Sequence, residues 1–241
     1  MRAASVNEVN DRWTIRLVQC PALRGPFVSV LGALAMLLAS HTTANAQEPP
    51  PRIGPFVVDV HGTFPHFPDN AQLAASRGVD QRELPGAGFG IHAGAHVYVY
   101  KWKAVTFGLG GEITEARAHE SAHQFSADDS SRAVTERFSH LAPILSFNFG
   151  DGDGWSYISG GVGKSKWSVT HDDDPTTLAA NDERLTTYNY GGGARWFNSQ
   201  HLAFSIDVRF YDIYPGTPDG SGRPGGPRSR LIIIGAGISL K

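Results

Sequence analysis

Cysteine, charged residues and helical periodicity are all scarce in this sequence of 241 residues. One cysteine, Cys20, excludes an internal disulfide framework and a metal site built from several thiolates. Charged residues make up 18% of the chain, whereas about a quarter is usual in soluble globular proteins. The formal net charge of −2 gives no support for a nucleic-acid partner. No stretch after residue 53 sustains an apolar period of 3.6 residues, which argues against a helical protein.

Residues 1–46 have the pattern of a secretory signal peptide. Three arginines, at positions 12, 16 and 24, precede an apolar run at 27–39. That run is shorter than the roughly 20 residues that span a bilayer. A small-residue site follows, and it predicts cleavage between Ala46 and Gln47. Residues 47–53 are predicted to form an extended, Pro-rich spacer, which leaves 54–241 as a single domain.

Two-residue alternation is present instead along the mature chain, and it predicts eight strands. Their predicted ranges are 54–65, 86–101, 104–118, 133–149, 154–170, 184–198, 201–214 and 229–240. In the first strand Phe56, Val58 and Val60 share one face. Asp59 and His61 lie on the other. The second face of most strands is small, polar and rich in glycine, as the narrow interior of a barrel requires.

The connections between these strands alternate in length. Three are short, at 101–103, 150–154 and 198–200. Four are long and polar, at 66–85, 119–132, 171–183 and 215–228. Strict alternation places every short turn at one end of a barrel and every long loop at the other. Transmembrane β-barrels have this asymmetry, with the apolar face towards lipid.

Aromatic residues cluster beside the three short turns, where a membrane-interface girdle is expected. The predicted girdle consists of Tyr100, Trp102, Phe149, Trp155, Tyr157, Trp196 and Phe197.

The strand count, the loop rhythm and the amphipathic last strand, 231–240, resemble small outer-membrane β-barrels of the OmpA-like and OmpW-like families. The resemblance implies an all-β, eight-stranded, antiparallel, up-and-down transmembrane barrel over 54–241. Such barrels usually end in an aromatic residue that the barrel-assembly machinery reads, whereas this chain ends in Leu240 and Lys241. Pro143 lies inside the predicted fourth strand, where we expect a β-bulge.

Charged residues on the predicted inner face are the first candidates for a functional site. They are Asp59, Glu112, Lys164, Lys166, Arg195, Asp207 and Arg209. Because both signs are present, we expect an internal ion-pair network that closes the lumen.

Histidines offer weaker candidates. His92 and His96 share one strand face, about 13 Å apart, and His61 could approach one of them. A loop metal site at His119 and His123 is conceivable, but solvated loop polarity is the favoured interpretation.

The sequence carries no recognisable catalytic motif. Ser139 and His140 are adjacent on a strand and therefore point to opposite faces. We expect no catalytic residues, no metal and no cofactor.

The predicted function is a non-enzymatic outer-membrane anchor or surface-interaction protein that presents four external loops. The alternatives are a small passive pore, a lipid A-modifying enzyme, and a soluble lipocalin-like barrel that binds lipid inside. The expected partners are outer-membrane lipid and lipopolysaccharide, the barrel-assembly machinery, and an external ligand at the loops. Nucleic acid is not an expected partner.

Overall fold

The computed structural model describes residues 53–126, 129–150, 153–174 and 178–241. The predicted signal peptide, its cleavage site at Ala46 and Gln47, and nearly all of the spacer lie outside these ranges. In the part of the chain that the structure describes, no helix is long and apolar enough to cross a membrane.

Eight long antiparallel strands close into a barrel, which confirms the predicted fold class. The barrel strands are β1 (Phe56–His66), β2 (Gly88–Trp102), β3 (Val105–Glu120), β6 (Val134–Phe149), β7 (Gly154–His171), β8 (Arg184–Phe197), β9 (Leu202–Ile213) and β10 (Ser229–Leu240). Each strand pairs with its neighbours in sequence, and β1 closes the barrel against β10. The predicted ranges agree with these bounds to within two residues.

The long loops contain short elements that the alternation did not predict. The loop between β1 and β2 holds helix α1 (Ala71–Arg77) and a 3₁₀ turn (Gln81–Glu83). A small hairpin of β4 (Gln124–Ser126) and β5 (Asp129–Ser130) lies between β3 and β6. Helix α2 (Ala179–Asp182) precedes β8.

Pro143 does not produce the predicted bulge. The β6–β7 register is the same on both sides of it, with Leu141 opposite Lys164 and Ile144 opposite Gly161. Proline only removes a backbone donor, so the ladder is interrupted without a shift. A side chain at Gly161 would collide with the Pro143 carbonyl oxygen, so glycine there lets the two strands approach closely. A register shift lies elsewhere in the barrel, between Tyr98 and Tyr100 on β2.

The apolar face of the strands is the outer surface of the barrel. Val60, Ile91, Leu109, Leu141 and Ile234 are all exposed there. A soluble lipocalin-like barrel would carry polar residues on this surface, so the arrangement contradicts that alternative. Exposed aromatic residues form one belt near the short turns, including Tyr100, Trp102 and Trp196. A second belt lies nearer the loops and includes Phe64, Phe89, Tyr188, Tyr190 and Tyr214.

Candidate functional site: the closed lumen and its outer cap

The lumen near the short turns is closed by a buried ion pair between β1 and β8. Arg195 donates from Nε and Nη2 to the two oxygens of Asp59, at 2.8 and 2.7 Å. Ser239 donates a further hydrogen bond to the same carboxylate. The guanidinium carbon lies 3.8 Å from the centroid of the Tyr157 ring. Two parallel hydrogen bonds fix both partners in orientation, and they compensate for the cost of burying the two charges.

A second charged group lies further along the barrel axis around Arg209. Its Nη1 is 2.7 Å from Glu112 Oε2, and its Nε is 3.0 Å from Asp207 Oδ1. Asn189 donates to Glu112 at 2.6 Å, and the Tyr157 hydroxyl donates to Asp207 at 2.6 Å. Tyr157 therefore contacts both charged groups. Together they form what we call the inner layer: Asp59, Arg195, Glu112, Asp207, Arg209 and Tyr157.

Five of the predicted lumen charges thus lie inside the barrel and are brought together. The prediction for Lys164 was wrong, as was that for Lys166. Lys164 is on the outer face and donates to Thr186, and Lys166 pairs with Asp182. The reason is the weak alternation of β7, where odd-numbered residues such as Trp155, Ser165 and Trp167 face inward.

The predicted aromatic girdle also needs correction at β7. Tyr100, Trp102, Phe149 and Trp196 are exposed on the outer face. Trp155 and Tyr157 are instead buried in the lumen, because they share the inward phase of β7. Phe197 is half-buried and stacks on Trp155 with 4.6 Å between ring centroids. Lys241 Nζ lies 3.9 Å from the Phe197 ring centroid, so these three residues form a plug at the short-turn mouth.

Four histidines are buried in the lumen beside the inner layer: His61, His92, His96 and His140. His61 stacks on His92 with 5.7 Å between ring centroids, and its Nε2 is 2.7 Å from the Ser205 hydroxyl. Both ring nitrogens of His96 and of His140 lack a hydrogen-bond partner among the described residues. Within those residues, no group of three or more potential ligands is arranged to hold a metal ion.

The outer half of the barrel interior is mainly apolar, which the strand alternation did not predict. It also holds Glu136, which is fully buried and accepts a hydrogen bond from Trp167 Nε1 at 2.6 Å. Trp167, Phe138, Tyr211, Ile213 and Leu231 pack together there with almost no exposed surface. The loop between β1 and β2 completes this cluster at the long-loop end of the barrel, where Phe67, Leu73 and Leu84 are buried against it. We call the loop residues 67–87 the outer cap.

Local sequence explains why the cap folds. Asn70 accepts the Leu73 amide at 2.8 Å, so it caps the start of α1. Gly78 ends the helix in the left-handed conformation, with φ of 68°. These two residues are start and stop signals that could have predicted the helix. The polar composition of residues 66–85 obscured these signals, because it is equally typical of an irregular loop.

Glu83 joins the cap to the loop before β6 and to the last residue of β7. Its Oε1 accepts the backbone amide of Arg132 at 2.7 Å. Its Oε2 accepts the amide of Asp80 at 2.9 Å and lies 3.1 Å from the His171 ring nitrogen. Burial acts to raise the pKa of Glu83, but these donors outweigh it and hold the pKa below its ordinary value. The carboxylate form therefore stabilises the closed cap.

No family model matches this chain, and no curated protein sequence matches it. Solved structures do show similarity. Neisserial surface protein A has 11% identity and a TM-score of 0.50, with 78% of this chain and 97% of that chain covered. Ail, the attachment invasion locus protein of Yersinia pestis, has 9% identity and a TM-score of 0.46, with 77% and 96% covered. The outer membrane enzyme PagL has 10% identity and a TM-score of 0.40, with 77% and 99% covered.

The fold is that of a small, eight-stranded outer-membrane β-barrel, as predicted. The barrel's own surface agrees with this class. A closed ladder leaves no unpaired strand edge, an apolar band faces outward, and aromatic belts border it. The fold and outer surface are therefore those of a barrel that lies in an outer membrane, and in this class the short turns face the periplasm and the long loops face outside.

Proposed function

We propose that the protein is a non-enzymatic anchor whose closed barrel holds four external loops at the cell surface. The observation that carries this proposal is the filled interior. Ion pairs and aromatic rings close the periplasmic half, and an apolar cluster with its cap closes the outer half. An eight-stranded barrel is just wide enough for side chains to fill it.

The loops are ordered against one another, which suits a surface for interaction. Glu83 joins the cap to Arg132 and His171, and Glu183 accepts hydrogen bonds from Thr217 of the last loop. A ligand would meet a preformed surface, so less conformational entropy would be lost on binding.

Residues of the lumen also support the absence of catalysis. Ser205 and His61 form the kind of pair that a nucleophile and its base require. Both are buried, and His61 Nδ1 has no partner among the described residues that would orient the ring. Ser139 faces outward while His140 faces the lumen, so they do not form a dyad.

A passive pore is the second candidate. The unpartnered nitrogens of His96 and His140 favour it, because buried polar groups of this kind are commonly satisfied by water. Water in the lumen would need a continuous path to conduct, and the two closed halves oppose one.

Single-channel recording in a planar bilayer tests the proposal. The intact barrel should give no steady conductance. Deletion of cap residues 71–84 should leave it silent, because the inner layer still closes the periplasmic half. Steady conductance of the intact protein would replace the anchor with the pore. Mass spectrometry of lipid A from cells with and without the protein tests the enzymatic alternative, and we expect no difference in acylation.

A further inference from the structure

Two arginines face each other on the outer surface of the barrel, near the loop end. Arg117 of β3 is directly opposite Arg137 of β6, and both are exposed. Like charges at directly opposed positions of neighbouring strands destabilise a sheet. Neither guanidinium forms an ion pair with a carboxylate in the described part of the chain.

A second like-charged pair on the same surface shows how the protein neutralises such a contact. Lys166 of β7 is opposite Arg184 of β8, and Asp182 pairs with Lys166. Beside the Arg117–Arg137 pair the strand register places Glu115, which is diagonal to Arg137 and forms no ion pair with either arginine among the described residues. The pair therefore retains an unbalanced positive charge.

The height of the pair in the barrel matches the outer membrane interface. Phe107 and Phe147 pack edge to face in the periplasmic aromatic belt, with 5.2 Å between centroids. Ten positions separate Phe107 from Arg117, and ten separate Phe147 from Arg137. Ten residues rise about 25 Å along the axis at about 3.3 Å per residue and a tilt of about 40°. The apolar band of an outer-membrane barrel is also about 25 Å tall.

Apolar side chains border the pair. Phe89 is directly opposite Arg117, and Ile91 is opposite Glu115. These residues and the two arginines line a shallow groove of about 400 Å³. Phe89 is 72% exposed and is supported by Phe64, with 5.4 Å between ring centroids. A lipid could thus place an acyl chain in the groove and an anionic head group on the guanidiniums.

We infer that the Arg117–Arg137 pair binds the phosphate group of a phosphorylated glycolipid in the outer leaflet, of the lipopolysaccharide type. Arginine suits this role because its planar fork forms two parallel hydrogen bonds to one phosphate. A phosphate between the guanidiniums also removes the repulsion that the free barrel would carry. This inference goes beyond the anchoring role and does not depend on whether the lumen conducts.

The test measures lipid binding to the folded, full-length mature barrel in mild detergent. The probes are bisphosphorylated lipid A, the same lipid with both phosphates removed, and inorganic phosphate. Native mass spectrometry gives the affinities, and heat-modifiable gel mobility shows that each variant is folded. We expect lipid A to bind at least about tenfold more tightly than its dephosphorylated form, as loss of charge-assisted hydrogen bonds implies.

The variant Arg117→Gln/Arg137→Gln should lose this preference. Its matched control is Arg228→Gln/Arg230→Gln, which removes two positive charges from the loop end of the barrel beside β10. In the control pair Arg230 already pairs with Asp212, and Arg228 lies over the Tyr214 ring. The control should bind lipid A as tightly as the natural protein.

Three results would overturn the inference. The first is unchanged binding by the Arg117/Arg137 variant, and the second is equal loss in the Arg228/Arg230 control. The third is displacement of lipid A by millimolar inorganic phosphate, which would make the site a simple anion site. Should the glutamine variant not fold, Arg117→Lys/Arg137→Lys carries the test. This variant keeps the positive charges but lacks the planar guanidinium groups, so we expect it to bind lipid A several-fold more weakly. Undiminished binding would contradict two parallel hydrogen bonds from arginine to the phosphate.

Discussion

The two halves of the barrel interior are closed by different physical means. The periplasmic half contains buried ions in contact, such as Arg195 with Asp59. The outer half contains mainly apolar side chains, such as Phe138 against Tyr211 with 5.3 Å between ring centroids, and its buried carboxyl group, Glu136, is bonded to the Trp167 indole. The inner closure consists mainly of strand residues, whereas the outer closure needs the cap loop as well.

This difference gives the two halves different roles: one specifies the strand register, and the other closes the outer mouth of the barrel. An ion pair between β1 and β8 joins positions 136 residues apart and is satisfied only in one register of the closed barrel. An apolar cluster tolerates small displacements more readily, because packing is not directional. The inner layer therefore fixes which strands close the barrel, and the outer cluster holds the loops over its mouth.

The largest effect is expected when one partner of the inner ion pair is removed. Arg195→Met leaves the carboxylate of Asp59 buried without its cation, and this should lower the free energy of unfolding by about 3–5 kcal/mol. Urea titration of the barrel in vesicles, read by heat-modifiable gel mobility, measures the change.

The control is Arg230→Met, which breaks the exposed pair with Asp212 and should cost at most about 1 kcal/mol. The double variant Asp59→Asn/Arg195→Met removes both charges and should recover part of the loss. Equal effects of Arg195→Met and Arg230→Met would show that the buried ion pair contributes no more to the free energy of unfolding than the exposed pair does.

Much of the inner layer could be predicted from sequence because alternation fixes the direction of each side chain. Asp59, Glu112, Arg195, Asp207 and Arg209 all lie on strands whose apolar residues define the outer face. The prediction failed where that marker was weak. In β7 glycine and serine occupy both faces, so the inward positions of Trp155 and Tyr157 and the outward position of Lys164 were misassigned.

The outer closure was less predictable because a loop supplies part of it. Period-two patterning does not report where an irregular segment folds. Phe67, Leu73 and Leu84 are apolar residues in an otherwise polar stretch, and together with the capping residues Asn70 and Gly78 they indicate a packed helix. The role of Glu83 in holding the cap closed was not predictable, because its partners Arg132 and His171 come from distant segments of the sequence.

A smaller and more local effect is expected in the outer half. Leu73→Ala leaves a cavity beneath α1 and should destabilise the closed cap by about 2–5 kcal/mol. Hydrogen exchange of residues 67–87 should become faster, while exchange in β8 and β9 stays slow. Gln72→Ala on the exposed side of the same helix is the control and should leave exchange unchanged. Uniformly faster exchange through the barrel would mean that the cap and barrel unfold as one unit.

The smallest effect is expected at Glu83, and its pH dependence has a definite sign. The pKa of this carboxyl in the folded protein is below its ordinary value of 4.5. Its contribution to cap stability is therefore present in full above about pH 4.5 and is lost as the pH falls through the lower folded value.

Glu83→Gln should cost the cap about 1–2 kcal/mol at neutral pH, because an amide replaces a charged acceptor of three donors. Protease cleavage within 67–87 on intact cells measures how often the cap opens. Natural protein should become more susceptible as the medium is acidified below pH 4.5, and Glu83→Gln should be susceptible at neutral pH with a weaker further response to acid. Asp80 and Asp173 also have lowered pKa values, so the difference between the two proteins isolates the share of Glu83. An identical acid response in both proteins would assign the opening of the cap at low pH to those aspartates and not to Glu83.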